Sequence, residues 1–282
     1  MLNLRYVEPI DYLVVGHITQ DLTPSGPQLG GTATYAALTA RSLGLRVGIV
    51  TAWNPETPMT DLAGIQIIGY PSERSTTFQN INTPQGRVQN VFSVAPSLGI
   101  NLVPETWRST PIVHLGPVLQ EVEPSLVRGF PSSFIGLTLQ GWLREVDTNR
   151  RVRACEWPEA RYVLENSSAA VLSIEDVQGD ELRIEELASS IRILVVTEGA
   201  AGARVYWNGD LRRFRPPSMT EVDPIGAGDI FATAFFIRLH NTRDPWEAAR
   251  FATQLAANSV TRTGLLGVPT PEEVQASMIE II

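Results

Sequence analysis

The chain is short of several things at once. It has one cysteine, Cys155, so no internal disulfide can form and a reducing compartment is expected. It has no lysine: all 22 basic residues are arginine, against 30 acidic ones, for a net charge of −8 and a pI near 5.0. The arginines are spread thinly, apart from pairs such as Arg150-Arg151 and Arg212-Arg213 that read as solvated surface. Such a chain is not built to neutralise a nucleic-acid backbone. Long apolar runs are missing too. The opening MLNLRYVEPIDYLVVG holds only LVV, too short for a signal peptide or a membrane span, so a cytoplasmic protein without membrane contact is expected. Three histidines and one cysteine show no zinc spacing. No G-x-x-x-x-G-K-[ST] occurs, and Gly16-His17-Ile18-Thr19-Gln20-Asp21 lacks the G-x-G-x-x-G spacing of a dinucleotide fold. The G-x-S-x-G elbow of acyl-transfer hydrolases is absent as well.

What is present describes an ordinary folded protein. With 282 residues, 43% hydrophobic and 18% charged, the chain suffices for one main domain with at most a small appendage. Unalternated Val/Ile/Leu runs at 11–16, 45–51, 111–116, 133–139, 169–174 and 192–199 read as strands covered on both faces. Helical stretches at 31–44, 181–191, 226–240 and 245–263 alternate with them. The alternation predicts a mostly parallel sheet with helices on both sides, a three-layer α/β/α architecture. No repeat, low-complexity tract or polar linker divides the chain.

Two segments depart from that rhythm. RSTTFQNINTPQGRVQNVFSV (74–94) reads as an antiparallel hairpin with Pro84 and Gly86 at its turn, either an edge hairpin or a lid over a site. ARVYWNGDLRRF (203–214) carries Asn208-Gly209, a strong hairpin turn.

Ligands of open α/β sheets bind beyond the carboxyl ends of the strands, so small and polar residues there are candidates. They include Asp21 with Gly30-Gly31, His114, Gln140 with Arg144, Glu175-Asp176 and Thr197 with Gly199 and Gly202. The most informative string is EVDPIGAGDIFATAFF (221–236). Gly226-Ala227-Gly228 entering a helix can turn backbone N–H groups into one concavity, and the start of a buried helix adds positive field. This is an anion site without a lysine. Asp229 beside it makes sense where the anion is a transferring phosphoryl group and the carboxylate accepts the proton of the attacking hydroxyl. Alternatively, Asp229 caps the helix and the glycines form only a tight turn.

These residues, in this order, resemble the ribokinase or PfkB family of carbohydrate kinases. Asp223-Pro224-Ile225-Gly226-Ala227-Gly228-Asp229 stands for the family's Asp-Thr-x-Gly-Ala-Gly-Asp, and LGGTATYAA for its Gly-Gly helix start. Asp21 matches the family's hydroxyl-binding Asp, and Thr197-Glu198-Gly199-Ala200-Ala201-Gly202 its nucleotide-site motif. The resemblance covers nearly the whole chain. It implies an ATP- and Mg2+-dependent kinase acting on a sugar-like alcohol, with a single ribokinase-like domain over 1–282. A small β lid would be formed by about 17–29 and 70–95, and pairing of two lids in a homodimer is a further expectation. Asp229 takes the base position, and Gly226, Ala227 and Gly228 the anion hole. Asp21, Gly30, Gly31, Tyr35, His114 and Gln140 are expected near the acceptor. Thr197, Gly199, Gly202, Asp223 and Asn258 are expected near the nucleotide, with Glu175 and Asp176 near the metal. His114 and Gln140 read equally as satisfied core polar groups, and Arg144 as a phosphate-steadying or a surface arginine.

Three departures qualify the resemblance. Pro224 replaces a Thr, removing a hydroxyl and an N–H. Ser173-Ile174-Glu175-Asp176 replaces Asn-x-x-Glu, and Tyr35 replaces an Asn, which disfavours ribose. LVVGHITQDL, LGGTATYAA and LTLQGWLR look more like the inositol-kinase-like branch. Two alternatives stand beside a polyol, cyclitol or sugar kinase. A nucleoside kinase is favoured by aromatic surface around Tyr35, Trp53 and Phe78. A nucleotide-binding protein with weakened turnover is suggested by the altered metal motif and opposed by the presence of Asp229.

Overall fold

Unalternated apolar runs are stable only as strands buried on both faces. That is where they lie in the computed structural model, which describes residues 7–83 and 86–278. In chain order the first strands are β1 Tyr12–Val15, β2 Thr19–Thr23, β3 Gly26–Gly30, β4 Val47–Trp53, β5 Gln66–Pro71, β6 Thr76–Thr83 and β7 Gly86–Ser93. They are followed by β8 Ile112–Leu115, β9 Phe134–Thr138, β10 Arg144–Val146, β11 Val152–Ala154, β12 Ala169–Ser173, β13 Ile193–Thr197, β14 Ala203–Trp207 and β15 Asp210–Phe214. The helices are α1 Gly31–Ser42, α2 Ala160–Glu165, α3 Glu181–Ser189, α4 Ala227–Thr242, α5 Pro245–Ser259 and α6 Pro271–Ser277.

Nine strands form the main sheet, in the order β15-β14-β13-β12-β9-β8-β1-β4-β5. Seven of them are parallel, and the β14–β15 hairpin closes one edge antiparallel. Asn208 and Gly209 take φ of +53° and +84° at its turn, as a two-residue hairpin loop requires. Pleating sends Tyr12 and Val14 to one face, against α1, α4 and α5, and Leu13 and Val15 to the other, against α2 and α3. This is the expected three-layer arrangement. Helix α4 is apolar almost all round because it is covered almost all round: Ile230 through Ile237 are buried. Among the described residues, no helix is long and apolar enough to cross a membrane.

The 74–94 hairpin does not extend the main sheet. It pairs through β6 with β2 in a separate four-stranded sheet, ordered β3-β2-β6-β7, so the lid alternative is the correct one. Pro84 lies outside the described residues, and Gly86 opens β7. The register sets Asp21 opposite Gln28 and Phe78, Phe78 opposite Val91, and Asn80 opposite Gln89. These residues therefore share one face of the lid, which packs Phe78 and Val91 onto Val118 and Leu119 after β8. The sequence reading passed over β5, the small β10–β11 ribbon, α2 and α6.

Candidate active site

The long helices α3 and α5 begin on aspartates, Asp180 and Asp244, whose side chains accept from first-turn amides. Helices α1 and α4 begin on Gly30 and Gly226 with no side-chain cap. The start of α4 is a tight turn. Ala227 N–H donates to Pro224 C=O at 3.2 Å, and Gly226 has φ +80° and ψ −8°, the values of the third residue of a type II turn. A β-carbon at Gly226 would overlap the ring of Tyr35, which is buried in α1 beneath it. At Gly228 the corresponding space is open, with nothing within 4 Å. Ala227's amide is thus committed within the turn, and the room for an anion lies over Gly228.

Asp229 follows in the first turn, half-buried. It is not the residue that caps α4; that place belongs to Gly226. Burial, together with the charges of Asp176 and Asp21, pushes its carboxyl from 3.8 up to about 6, against a Thr32 hydrogen bond and the Arg144 cation. Tyr35 sits among the same charges. Burial first, then Asp229, Asp21 and Asp223, push its phenol further above the usual range.

Asp21 reaches this place from the lid. Its carboxylate lies against Gly30, where any β-carbon would overlap it, so the Gly-Gly start of α1 is what lets lid and helix close together. On the opposite wall Arg144, half-buried at the start of β10, donates Nε–H to Val118 C=O at 2.6 Å and Nη1–H to Gln89 Oε1 at 3.1 Å. Its guanidinium lies 5.5 Å from the Phe78 ring centroid. Asp176 accepts from Ser173 N–H at 2.8 Å and from Gln140 Nε2 at 3.3 Å. Burial raises its carboxyl above the usual range, with Ser173, Arg144 and Gln140 pulling it back and Glu175 adding to the rise. Glu175 is exposed. Among the described residues, no three acidic, histidine or cysteine side chains gather as a metal cluster.

His114 is not brought to the cleft. It is fully buried under α4, 5.1 Å from the Phe236 ring, with its nitrogens bonded to Tyr12 and Thr138 hydroxyls. Burial drives its pKa down to about 3, so it is a neutral core group. On the other side, Asp223 accepts from Ile225 N–H at 3.0 Å and from Gly264 N–H at 2.8 Å, tying the turn to the segment after α5. Asn258, near the end of α5, accepts from Gln254 at 3.4 Å. Thr197 ends β13 next to Ser173, its register partner on β12, and bonds to Leu172 C=O. Gly199 and Gly202 flank the short turn that follows.

One group escaped the sequence reading. The lid leaves the body through residues 16–19, 72–76 and 94–96, and a buried polar network pins all of them. Glu121, 3% exposed, accepts from the amides of His17 at 3.0 Å, Val118 at 2.9 Å and Leu119 at 2.7 Å. His17 Nε2–H donates to Pro96 C=O at 2.9 Å, and its Nδ1 lies 2.8 Å from the Thr76 hydroxyl, which accepts from Ala95 N–H. Nothing local in PVLQEVEP marks Glu121, whose partner His17 is 104 residues away.

Known proteins resemble this chain in sequence and in fold. The family model for pfkB family carbohydrate kinases covers residues 168–272, from β12 through the Gly-Ala-Gly turn to α6. A cytidine kinase of Thermococcus kodakarensis is 25% identical over 279 residues, 90% of this chain and 98% of that protein. A pyrophosphate-dependent kinase of the ribokinase family, complexed with a pyrophosphate analog and myo-inositol, superposes with a TM-score of 0.78 at 18% identity over 94% of this chain and 99% of that one. Arabidopsis thaliana ribokinase, complexed with ribose and ATP, gives 0.74 at 15% identity over 96% and 99%. In its turn, lid and paired helix starts, and in sequence over residues 168–272, the chain is similar to the pfkB family of carbohydrate kinases.

Proposed function

We propose that the protein transfers the γ-phosphoryl group of ATP to a hydroxyl of a polyol, cyclitol or sugar, with Asp229 as the general base. The observation that carries this is Asp229 itself: a half-buried carboxylate at an uncapped helix start, its carboxyl raised to about 6. It is ionised at neutral pH yet holds a proton far better than an ordinary aspartate. The acceptor hydroxyl gives its proton to Asp229 while its oxygen bonds to phosphorus and the donor's bridging P–O bond breaks. The α4 start over Gly228 and the Arg144 guanidinium meet the charge on the phosphoryl group from two sides. Asp21 accepts from hydroxyls of the acceptor, held against α1 by Gly30. Thr197, Gly199 and Gly202, with the end of α5 near Asn258, form the donor wall. The lid excludes water from the cleft, which limits transfer to water. Exposed Ile81, Phe92 and Val94 on the lid suit pairing with a second copy.

Magnesium fits this site as an ion held mainly by donor phosphates and water. With no three-acid cluster among the described residues, Asp176 would hold it through water, next to Asp229. When bound it supplies charge neutralisation of the phosphates.

Two observations favour variants of this reading. Full-length similarity to a cytidine kinase, with Phe78 on the lid's inner face, supports a nucleoside acceptor. Likeness of fold to pyrophosphate-dependent kinases supports a second donor. The test is a matrix: Mg2+ with ATP or pyrophosphate against inositols, hexoses, pentoses and nucleosides, following ADP or orthophosphate. Turnover is expected with ATP and a cyclitol or sugar. Turnover only with nucleosides, or only with pyrophosphate, replaces the corresponding half of the reading. Absence of acceptor-dependent release across the matrix refutes it.

A further inference from the structure

We propose that Gln89, on the inner face of the lid, is a positioning residue that aims the Arg144 guanidinium into the cleft, so that lid closure and presentation of this cation are one event. The inference rests on the reading of Arg144 as a phosphate-steadying group.

Arg144 has an anchor on the body and another on the lid. Its Nε–H goes to Val118 C=O at 2.6 Å on the body, and its Nη1–H to Gln89 Oε1 at 3.1 Å on the lid. One anchor leaves a guanidinium free to swing about its long stem, whereas two on different edges fix its plane. Phe78, also on the lid, supports the ring-facing side at 5.5 Å. The body anchor is itself rigid, because Glu121 holds the amides of Val118 and Leu119. Phe78 and Val91 pack onto those same two residues, so the lid docks on the loop that accepts the arginine's body-side bond.

The orientation of Gln89 is determined. Arginine has only donors, so Gln89 must turn its oxygen towards Arg144. Its Nε2 then donates to Asn80 Oδ1 at 3.0 Å, the residue opposite it in the β6–β7 ladder. A relay of three side chains therefore ties lid register to cation orientation. The choice of an amide has a chemical reason. Asp176 and Asp229 both lie within the electrostatic reach of Arg144. A cation released from the lid would collapse onto one of these carboxylates. Gln89 and Val118 supply neutral oxygens to two different edges of the guanidinium.

Four variants test this: Gln89→Leu, Gln89→Glu, Arg144→Ala and the Leu/Ala double. Transfer is measured with myo-inositol and cytidine as acceptors and ATP and pyrophosphate as donors. Hydrogen exchange of the 76–83 and 88–93 segments is followed on the protein alone. Arg144→Ala is expected to lower kcat about 100-fold. Gln89→Leu should lower it about tenfold at unchanged acceptor KM, the worth of one hydrogen bond to a charged group. The double should be no slower than Arg144→Ala. Both single losses should speed lid exchange. Gln89→Glu should keep wild-type lid exchange yet lose kcat, a split that a purely structural role would not produce. Wild-type kcat and lid exchange in Gln89→Leu, beside a slow Arg144→Ala, overturns this inference alone, as does an additive double. Wild-type kcat in Arg144→Ala overturns the role of the arginine as well. If neither acceptor is turned over, unchanged lid exchange in Gln89→Leu is sufficient to reject the latch.

Discussion

Replacing Asp229 by Asn should slow the enzyme and stabilise the fold, and the two effects have one origin. The folded-state carboxyl titrates at about 6 against 3.8 unfolded, so the native protein binds that proton more tightly than the unfolded chain does. Below the unfolded value both states are protonated and the group is neutral to stability. As pH rises from about 4 to about 6 the unfolded chain ionises first, and stability falls. Above that window the penalty is constant at about 3 kcal/mol, from about 1.4 kcal/mol per unit. The helix start favours the carboxylate by about 0.5–1 kcal/mol, and partial solvent access trims the rest. A net gain of about 1–2 kcal/mol is expected for Asp229→Asn at pH 7.5, or about 2–3 °C in melting temperature. The gain should vanish near pH 4. In the same protein kcat should fall by about 10²–10⁴, the usual worth of a positioned base. Thermal melts at pH 4 and 7.5, beside initial rates with the acceptor found in the matrix, read both quantities. A melting temperature that drops at both pH values would mean that the carboxylate holds the fold together, and the account of a strained base would be wrong.

Other perturbations follow from the same geometry. The kcat/KM profile should fall tenfold per pH unit below about 6, where protonated Asp229 has no lone pair to offer; a flat acid limb refutes the assignment. Gly226→Ala places a methyl on Tyr35 and asks an L-residue to hold φ +80°. A loss of about 2–4 kcal/mol is expected by denaturant titration, and wild-type stability would contradict it. Glu121→Gln exchanges two acceptor oxygens for one and turns an NH₂ group towards two of the three amides. It should cost about 3 kcal/mol and lower the melting temperature by about 5 °C; a change under 2 °C would show that the network is not holding the lid root.

Much of this was readable from the chain, for identifiable reasons. Runs such as ILVVT and AAVLS need cover on both faces, so their identity as central strands does not depend on partners. β5 was passed over because QIIGYP is half-exposed and mixed, a pattern without a period. The cleft residues Asp21, Gly30 and Gly226 were legible as a set because each motif is local and their order along the chain is itself informative. His114 shows the limit. In an unalternated strand nothing tells which pleat faces the cleft, and register with Val14 turns His114 under α4 instead. Glu121 shows another: its meaning lies wholly in the amides of residues folded against it.

Pro224 and Tyr35, the two odd residues of the motif, explain one another through the turn they share. A threonine at 224 would offer an N–H, but the turn does not ask for one there. Asp223 reaches past position 224 to the amide of Ile225, and Pro224 contributes its carbonyl, accepting from Ala227. Proline therefore removes no bond from the turn while restricting its unfolded alternatives. What a side-chain hydroxyl would have added in stiffness, Tyr35 adds from below, its ring filling the space under Gly226 that a β-carbon is denied. That use of the ring bears on the acceptor. Buried beneath the turn, Tyr35 presents neither an amide nor a ring face to the open cleft. Discrimination among alcohols then falls to the inner face of the lid, where Asp21, Gln28, Phe78 and Asn80 lie side by side. Exchanging Asn80 or Gln28 should therefore change which acceptor is used, while Tyr35→Phe should leave acceptor preference as it is.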